Sequence, residues 1–217
     1  MYRRSKEERN AIEAGFSRAM KALDDRDWFN YFINCPRRNR REAFVVVMGR
    51  LTDKEYWELL RYIWADTELP YRNKAAWLQL FTSPRGERES AMTEGERSAL
   101  AALPDPCVAY RGVGDPRQQA RGMSWTTDLA TAAWFARRGN QDAGVVVSAW
   151  VPKHRIFYYC AERNESEVII DPSRMKYEIL SMSREEIKRI ANDVARRRIE
   201  RDERERKEWE ARRKGNK

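Results

Sequence analysis

The sequence predicts an α+β chain: an all-helical first part, a compact β core with one buried helix, and a long charged C-terminal helix. Three observations carry this. Through residue 103 the apolar side chains recur at helical spacing. After Pro104-Asp-Pro106 they gather into short runs rich in Val, Ile, Tyr and Phe, the residues that suit a pleated surface. From Ser183 onward the chain is dominated by Arg, Lys and Glu. The expected organisation is therefore a helical domain over 1–103, a catalytic-sized core over 104–182 and a charged helix or tail over 183–217. With 41% hydrophobic and 35% charged residues, the composition suits a globular protein with charged extensions, not a disordered chain.

In the first part, Ala11, Ile12, Phe16, Ala19, Met20 and Leu23 give a helix over 5–23, and a second helix is expected over about 38–50. Thr52-Asp-Lys-Glu55 is a capping-box pattern, in which a hydroxyl and a carboxylate satisfy each other's backbone amides. It opens a helix carrying Trp57, Leu60 and Trp64 on one face. Pro70 precedes another helix through Trp77, Leu80 and Phe81. Thr93-Glu-Gly-Glu96 resembles a second capping box ahead of Leu100 and Leu103. Tryptophans so spaced are core residues far more often than cofactor contacts.

In the second part, strands are expected at 107–113, 122–126, 144–151, 156–160, 167–170 and 176–180. A short apolar helix over 128–138 interrupts them, so the region reads as α+β. Ser183-Arg-Glu-Glu186 is a third capping box and starts a helix that could reach 213. Its residues Ile187, Ile190, Ala191, Val194 and Ile199 dock the first turns, leaving Trp209 the only bulky apolar side chain beyond.

Charge is uneven. Residues 1–50 carry 12 basic and 7 acidic side chains, and residues 184–217 carry 14 and 9, each a net of +5. Residues 51–183, with 17 basic and 18 acidic, are nearly neutral. Solvated helix faces with i,i+4 pairs explain the ends most simply. Attraction to an acidic partner, nucleic acid included, is the sharper alternative. The apolar runs fall far short of the ~20 residues that cross a bilayer. The basic N-terminus leads into no apolar signal core, so the expectation is a cytoplasmic protein without membrane attachment.

Cys35, Cys107 and Cys160 are scattered, and His154 is the single histidine. A zinc site needs about four closely supplied nitrogen or sulfur ligands, so no metal is expected. With one imidazole, histidine-based nucleophilic catalysis is set aside, and His154 is read as a turn residue between two strands.

Three patches remain. Tyr110-Arg111-Gly112 ends a strand, Ser124-Trp125-Thr126-Thr127 leads into the apolar helix, and Glu165-Ser166-Glu167 enters the strand Val168-Ile169-Ile170. Glu-x-Glu recurs at 87/89, 94/96, 203/205 and 208/210, so that spacing alone means nothing. Only Glu165/Glu167 immediately precedes a β-branched run, where a period of two sends both carboxylates to one side. Taken singly, each patch has an ordinary structural reading.

Taken together, they resemble the arginine–serine–glutamate class of ADP-ribosyltransferases, over roughly residues 107–181. The resemblance rests on Tyr110-Arg111-Gly112, on Ser124 through Ala136 with its Ala-x-x-Phe-Ala element, on Val151-Pro-Lys153 and on Glu165 through Pro172. The family's usual Ser-Thr-Ser reads Ser124-Trp125-Thr126 here.

It implies an ADP-ribosyltransferase-like core and NAD as substrate. The resemblance gives Arg111 the dinucleotide's phosphates and the pocket wall, and gives the Gly112 backbone the nicotinamide amide. It makes Glu167 the catalytic carboxylate, positioned by Ser124 with Thr126 in support. Phe135, or Trp134, would stack on the nicotinamide ring, although a core role is the commoner fate of such a residue. Glu165 would serve the acceptor, and a glutamate there accompanies arginine acceptors in the family. Chemically these residue types suit the task. Breaking the nicotinamide–ribose bond builds positive charge on the sugar, which a fixed carboxylate stabilises.

The resulting expectation is mono-ADP-ribosylation of a protein acceptor, with a setting such as a bacterial toxin, an effector or a phage protein. The alternatives are an NAD glycohydrolase of the same fold, with water as acceptor, and a non-enzymatic adaptor whose basic ends bind nucleic acid or protein.

Overall fold

The computed structural model describes residues 5–67, 73–138 and 144–215. They form two compact units, 1–95 and 96–217. The division falls inside a helix rather than at the expected 103, and the C-terminal helix belongs to the unit that contains the sheet.

The first unit is helical. Helix α1 (Lys6–Asp24) starts on a capping box between Ser5 and Glu8. Its expected apolar face is only partly realised: Ala19 and Ala22 are buried, whereas Phe16 is 66% and Met20 39% exposed. The side chains of Ala11 and Ile12 lie outside the described residues. Helix α2 (Trp28–Asn34), capped by Asp27, has no counterpart among the expected elements. Its seven residues are too few for a helical period to register, yet Trp28, Tyr31 and Phe32 are buried.

The helix expected over 38–50 is broken into a 3₁₀ turn, α3 (Arg40–Val47) and a second 3₁₀ turn. Helix α4 (Asp53–Ala65) begins on the Thr52–Glu55 capping box. Helix α5 (Lys74–Phe81) follows, and the start expected at Pro70 lies outside the described residues. Phe32, Phe44, Trp57, Leu60, Trp77 and Phe81 form the core, each at most 1% exposed. Arg85 ties the loops together by donating to the Met48 and Leu51 carbonyls and the Asp53 carboxylate.

Helix α6 (Glu94–Ala102) leads into the second unit. There, β1 (Cys107–Val113), a one-turn helix α7 (Pro116–Gln119), β2 (Ser124–Thr126) and α8 (Leu129–Ala136) follow in turn. Next come β3 (Val145–Val151), β4 (Ile156–Cys160), β5 (Glu167–Ile170), β6 (Glu178–Ile179) and α9 (Arg184–Gly215). His154 sits in a 3₁₀ turn between β3 and β4. The six strands make one antiparallel sheet in the order β4-β5-β2-β1-β3-β6. The architecture is α+β.

Two packing contacts set α8 and α9 against the sheet. Alternation along β1 turns Tyr110 and Gly112 to the face covered by α8, and Arg111 to the other. A Cβ on Gly112 would lie 2.0 Å from the Ala132 carbonyl and 2.3 Å from the Ala136 nitrogen, so only glycine admits α8 this close. Helix α9 then docks its first turns on α8: Ile187 is buried and packs with Ala132, Ala133 and Ala136, half-buried Ile190 packs against the same cluster, and Ala191 is buried as well. Ile199, expected to dock, is 60% exposed, because at that turn α9 presents Arg198 and Arg201 to the 163–165 segment and leaves Ile199 facing solvent. Trp209 is exposed too. Among the described residues, no helix is long and apolar enough to cross a membrane.

Candidate active site

Sheet order places β2 between β1 and β5, so the three patches are neighbours. β1 pairs with β3 through seven registered residues but with β2 only at Tyr110–Thr126. Beyond that pair the Arg111 side chain links the two strands instead. Its Nη1 donates to the Ser124 carbonyl, and its Nε donates to the Gln119 carbonyl at 3.0 Å. Gly122 makes room for it, since a Cβ there would lie 2.6 Å from the guanidinium carbon. Burial pushes the Arg111 pKa down to about 10, and the Glu167 charge pulls it the other way.

β2 pairs with β5 with Thr126 opposite Glu167 and Ser124 opposite Ile169. Ser124 and Glu167 thus share a face as diagonal neighbours, and the Ser124 hydroxyl donates to Glu167 Oε1 at 2.5 Å. The next two hydroxyls hold the preceding turn. Thr126 Oγ1 donates to the Glu165 carbonyl at 2.6 Å, while the Thr127 amide and hydroxyl donate to the Ser166 carbonyl at 3.0 and 3.5 Å. Three consecutive residues, 165–167, are therefore gripped by one short segment.

That turn is strained. Arg163, Asn164 and Ser166 all have positive φ, at 58°, 52° and 44°. Non-glycine residues adopt this region at a cost, and such strain clusters at functional sites. The turn is tied at its start as well: the Ala161 amide donates to buried Glu96 of α6 at 2.8 Å. Glu96 was legible only as part of a capping pattern, and its partner 65 residues away carried no sequence signal.

Glu165 lies in the turn before β5, with helical backbone angles and Ser166 at positive φ after it, so the extended spacing expected to align it with Glu167 is not realised; its carboxylate meets α9. Arg198 Nη1 donates to Glu165 Oε1 at 3.0 Å, with the side chains 18% and 14% exposed. The Arg198 guanidinium also lies 4.1 Å from the Trp134 ring centroid. Trp134 and Phe135 are half-buried and in edge contact, and Arg138 lies 5.5 and 5.7 Å from their centroids. Neither Arg198 nor Arg138 stood out in the sequence, since each is one arginine in a basic stretch.

The structure thus links Arg111, Ser124 and Glu167 directly, has Thr126 hold the Glu165 main chain, and sends the Glu165 carboxylate to Arg198 of α9, with Phe135 next to Trp134 on α8. It assigns two residues a different immediate task from the expected one. Arg111 braces main-chain carbonyls, so Nε and Nη1 are already engaged rather than forked toward a phosphate. The missing Cβ of Gly112 admits α8, not a ligand.

A separate hollow of about 700 Å³ lies on the Tyr110 face of the sheet, lined by Tyr110, Trp150, His154, Arg155, Lys176 and Glu178 among others. Arg111, Ser124 and Glu167 do not line it. Among the described residues, no group of three His, Cys, Asp or Glu side chains could hold a metal ion. Comparison with family models, with curated proteins and with solved structures finds no match to this chain.

Proposed function

We propose that the chain is an NAD-dependent mono-ADP-ribosyltransferase that cleaves the nicotinamide–ribose bond and transfers ADP-ribose to arginine in a protein. The observation that carries this reading is the Ser124–Glu167 hydrogen bond, made beside the buried Arg111 that bonds to the carbonyl of the same serine. That an arginine, a serine and a glutamate from three separate strands are neighbours supports this reading.

The arrangement suits the chemistry. Cleavage builds positive charge on the ribose, and a carboxylate held in one orientation stabilises that charge without having to reorganise. The Ser124 hydroxyl supplies the orientation. Half-buried Trp134 and Phe135 offer aromatic faces for a nicotinamide ring, with the Arg138 cation beside them. Because Arg111 is engaged by carbonyls, its contribution is to hold the β1–β2 opening in shape. Glu165, two residues before Glu167, can orient and deprotonate an incoming guanidine.

The test is incubation of the chain with labelled NAD and a cell lysate. Label on protein with wild type, and its absence with Glu167→Ala, supports the transferase. Free ADP-ribose with no labelled protein assigns the chain as a glycohydrolase. No turnover of NAD at all leaves the basic adaptor.

A further inference from the structure

The hollow on the Tyr110 face of the sheet has no part in the proposed transferase site, since Arg111, Ser124 and Glu167 lie outside it. We propose that it is a trough for single-stranded nucleic acid, in which bases stack on Trp150 and phosphates meet Arg155, Arg174 and Lys176. This does not rest on the transferase reading.

The floor follows from strand register. Val108 pairs with Trp150, and Tyr110 pairs with Ser148, which pairs in turn with Glu178, so these side chains share one face. Helix α8 covers that face at Gly112, and Tyr110 packs against the α8 cluster. Beyond Tyr110 the face opens into the hollow of about 700 Å³, where Trp150 is 68% exposed. A single exposed apolar side chain is ordinary. This one lines a concavity together with three cations.

The wall is built in advance by the loop after β5. The Asp171 amide donates to the Arg155 carbonyl at 2.9 Å and the Ser173 amide to the Asp171 carboxylate at 2.8 Å, while Arg155 Nη1 donates back to the Ser173 carbonyl. Buried Met175 and the Tyr177 hydroxyl, which donates to the Pro116 carbonyl at 3.3 Å, anchor the far end. Between these ties Arg174 has φ 57°, a conformation that persists only where its surroundings enforce it.

Charge selects the occupant. The three cations share the hollow with one acid, Glu178, and among the described residues none of them has a carboxylate partner. The arginines of α9 differ: Arg196 pairs with Asp193, Arg201 with Asp202 and Glu205, and Arg206 with Glu210. Excess charge is therefore neutralised locally on that helix and left unmatched in the hollow. Unmatched cations beside an open indole suit a single strand, whose phosphates meet the former and whose base faces meet the latter. A free nucleotide suits it less. Small-ligand pockets bury about 70–90% of their ligand, whereas Trp150, Arg174 and Lys176 are all exposed. A strand continues through such an open trough and gains contacts along it. A duplex keeps its base faces stacked inside and offers none to Trp150.

The experiment is fluorescence anisotropy of the full chain with a labelled oligothymidine of about ten nucleotides. Expected is binding whose logarithm falls against log salt with a slope near about −2, three phosphate contacts at ~0.7 each. Trp150→Ala should weaken it about 5- to 100-fold, the effect of losing one stacked base. Lys176→Ala should lower the slope by about 0.7. Both side chains are exposed, so the fold survives their loss. Trp209→Ala removes the other exposed indole, which Arg213 approaches to 4.8 Å, and should leave binding unchanged. Oligouridine should bind like oligothymidine, because stacking and phosphate contacts do not read the 2′-hydroxyl. Absence of binding at low salt overturns the proposal, as does binding undiminished in Trp150→Ala or lost in Trp209→Ala instead. Equal binding of a duplex overturns it too. So does displacement by AMP at the oligonucleotide's own concentration, which would make the hollow a mononucleotide pocket.

Discussion

Ser124 and Glu167, 43 residues apart in the chain, are joined by a 2.5 Å hydrogen bond between diagonal positions of β2 and β5. The bond exists because the two strands pair with Thr126 opposite Glu167, a register that puts hydroxyl and carboxylate on one face. A hydrogen bond to an ionised group is worth about 1.5–3 kcal/mol. Ser124→Ala should therefore slow nicotinamide release by about 10- to 100-fold, with a loss of stability of at most about 1.5–3 kcal/mol. A rate equal to wild type would remove serine from the mechanism.

Arg111 makes the opposite prediction. Its guanidinium holds the Gln119 and Ser124 carbonyls beneath Gly122, so Arg111→Lys loses the fork and leaves buried carbonyls unmet. The expected loss is about 2–3 kcal/mol of stability by chemical denaturation, with activity falling alongside it. Full stability with lost activity would mean that the arginine acts on the ligand and not on the wall.

Glu165→Gln should abolish transfer to protein while NAD hydrolysis persists. The neutral amide can still accept a hydrogen bond but cannot take a proton from an incoming guanidine. Parallel loss of both activities, measured as labelled protein and free ADP-ribose, would refute the division of labour between the two glutamates.

Gly112→Ala forces a Cβ to 2.0 Å from the Ala132 carbonyl, a backbone atom that cannot give way. A destabilisation of about 3 kcal/mol is expected. Gly49→Ala meets nothing within 4 Å and should change stability by no more than about 1 kcal/mol. Thermal denaturation of the two variants makes the comparison.

Acid should weaken the first unit through Glu55. Its hydrogen bond from the Thr52 amide holds the carboxyl below its ordinary value of 4.5, against burial that pushes it up. A carboxyl with a depressed folded pKa stabilises fully above the unfolded value, and that contribution drains as pH falls through the lower folded value. Melting of wild type should drop more steeply below pH 4.5 than melting of Glu55→Gln, which is already weakened at neutral pH. Superimposable pH profiles would count against the capping box.

The sequence resolved elements where a period was long enough to count. The strands 107–113, 156–160 and 167–170 emerge with their expected bounds, and Thr52–Glu55 opens α4. Helix α2 escaped because seven residues show no period. The face of α1 was read in part: Ala19 is buried as expected, but bulky Phe16 and Met20 are exposed and small Ala22 is buried. At the candidate site, residue types and order pointed to Arg111, Ser124 and Glu167. The residues that tune them did not show, because Glu96, Gln119 and Arg198 act through partners distant in the chain or through main-chain atoms. Gly112 was legible as a position needing no side chain, but what takes the space is decided by how α8 packs.

Glu167 is the residue on which the proposed chemistry rests. Nicotinamide release from NAD by the purified chain, compared between wild type and Glu167→Gln, tests it most directly. The expected result is release by wild type and a fall of about 10²–10³ in the variant, the effect of removing one preorganised electrostatic group. Equal release by both proteins, or none by either, would contradict it.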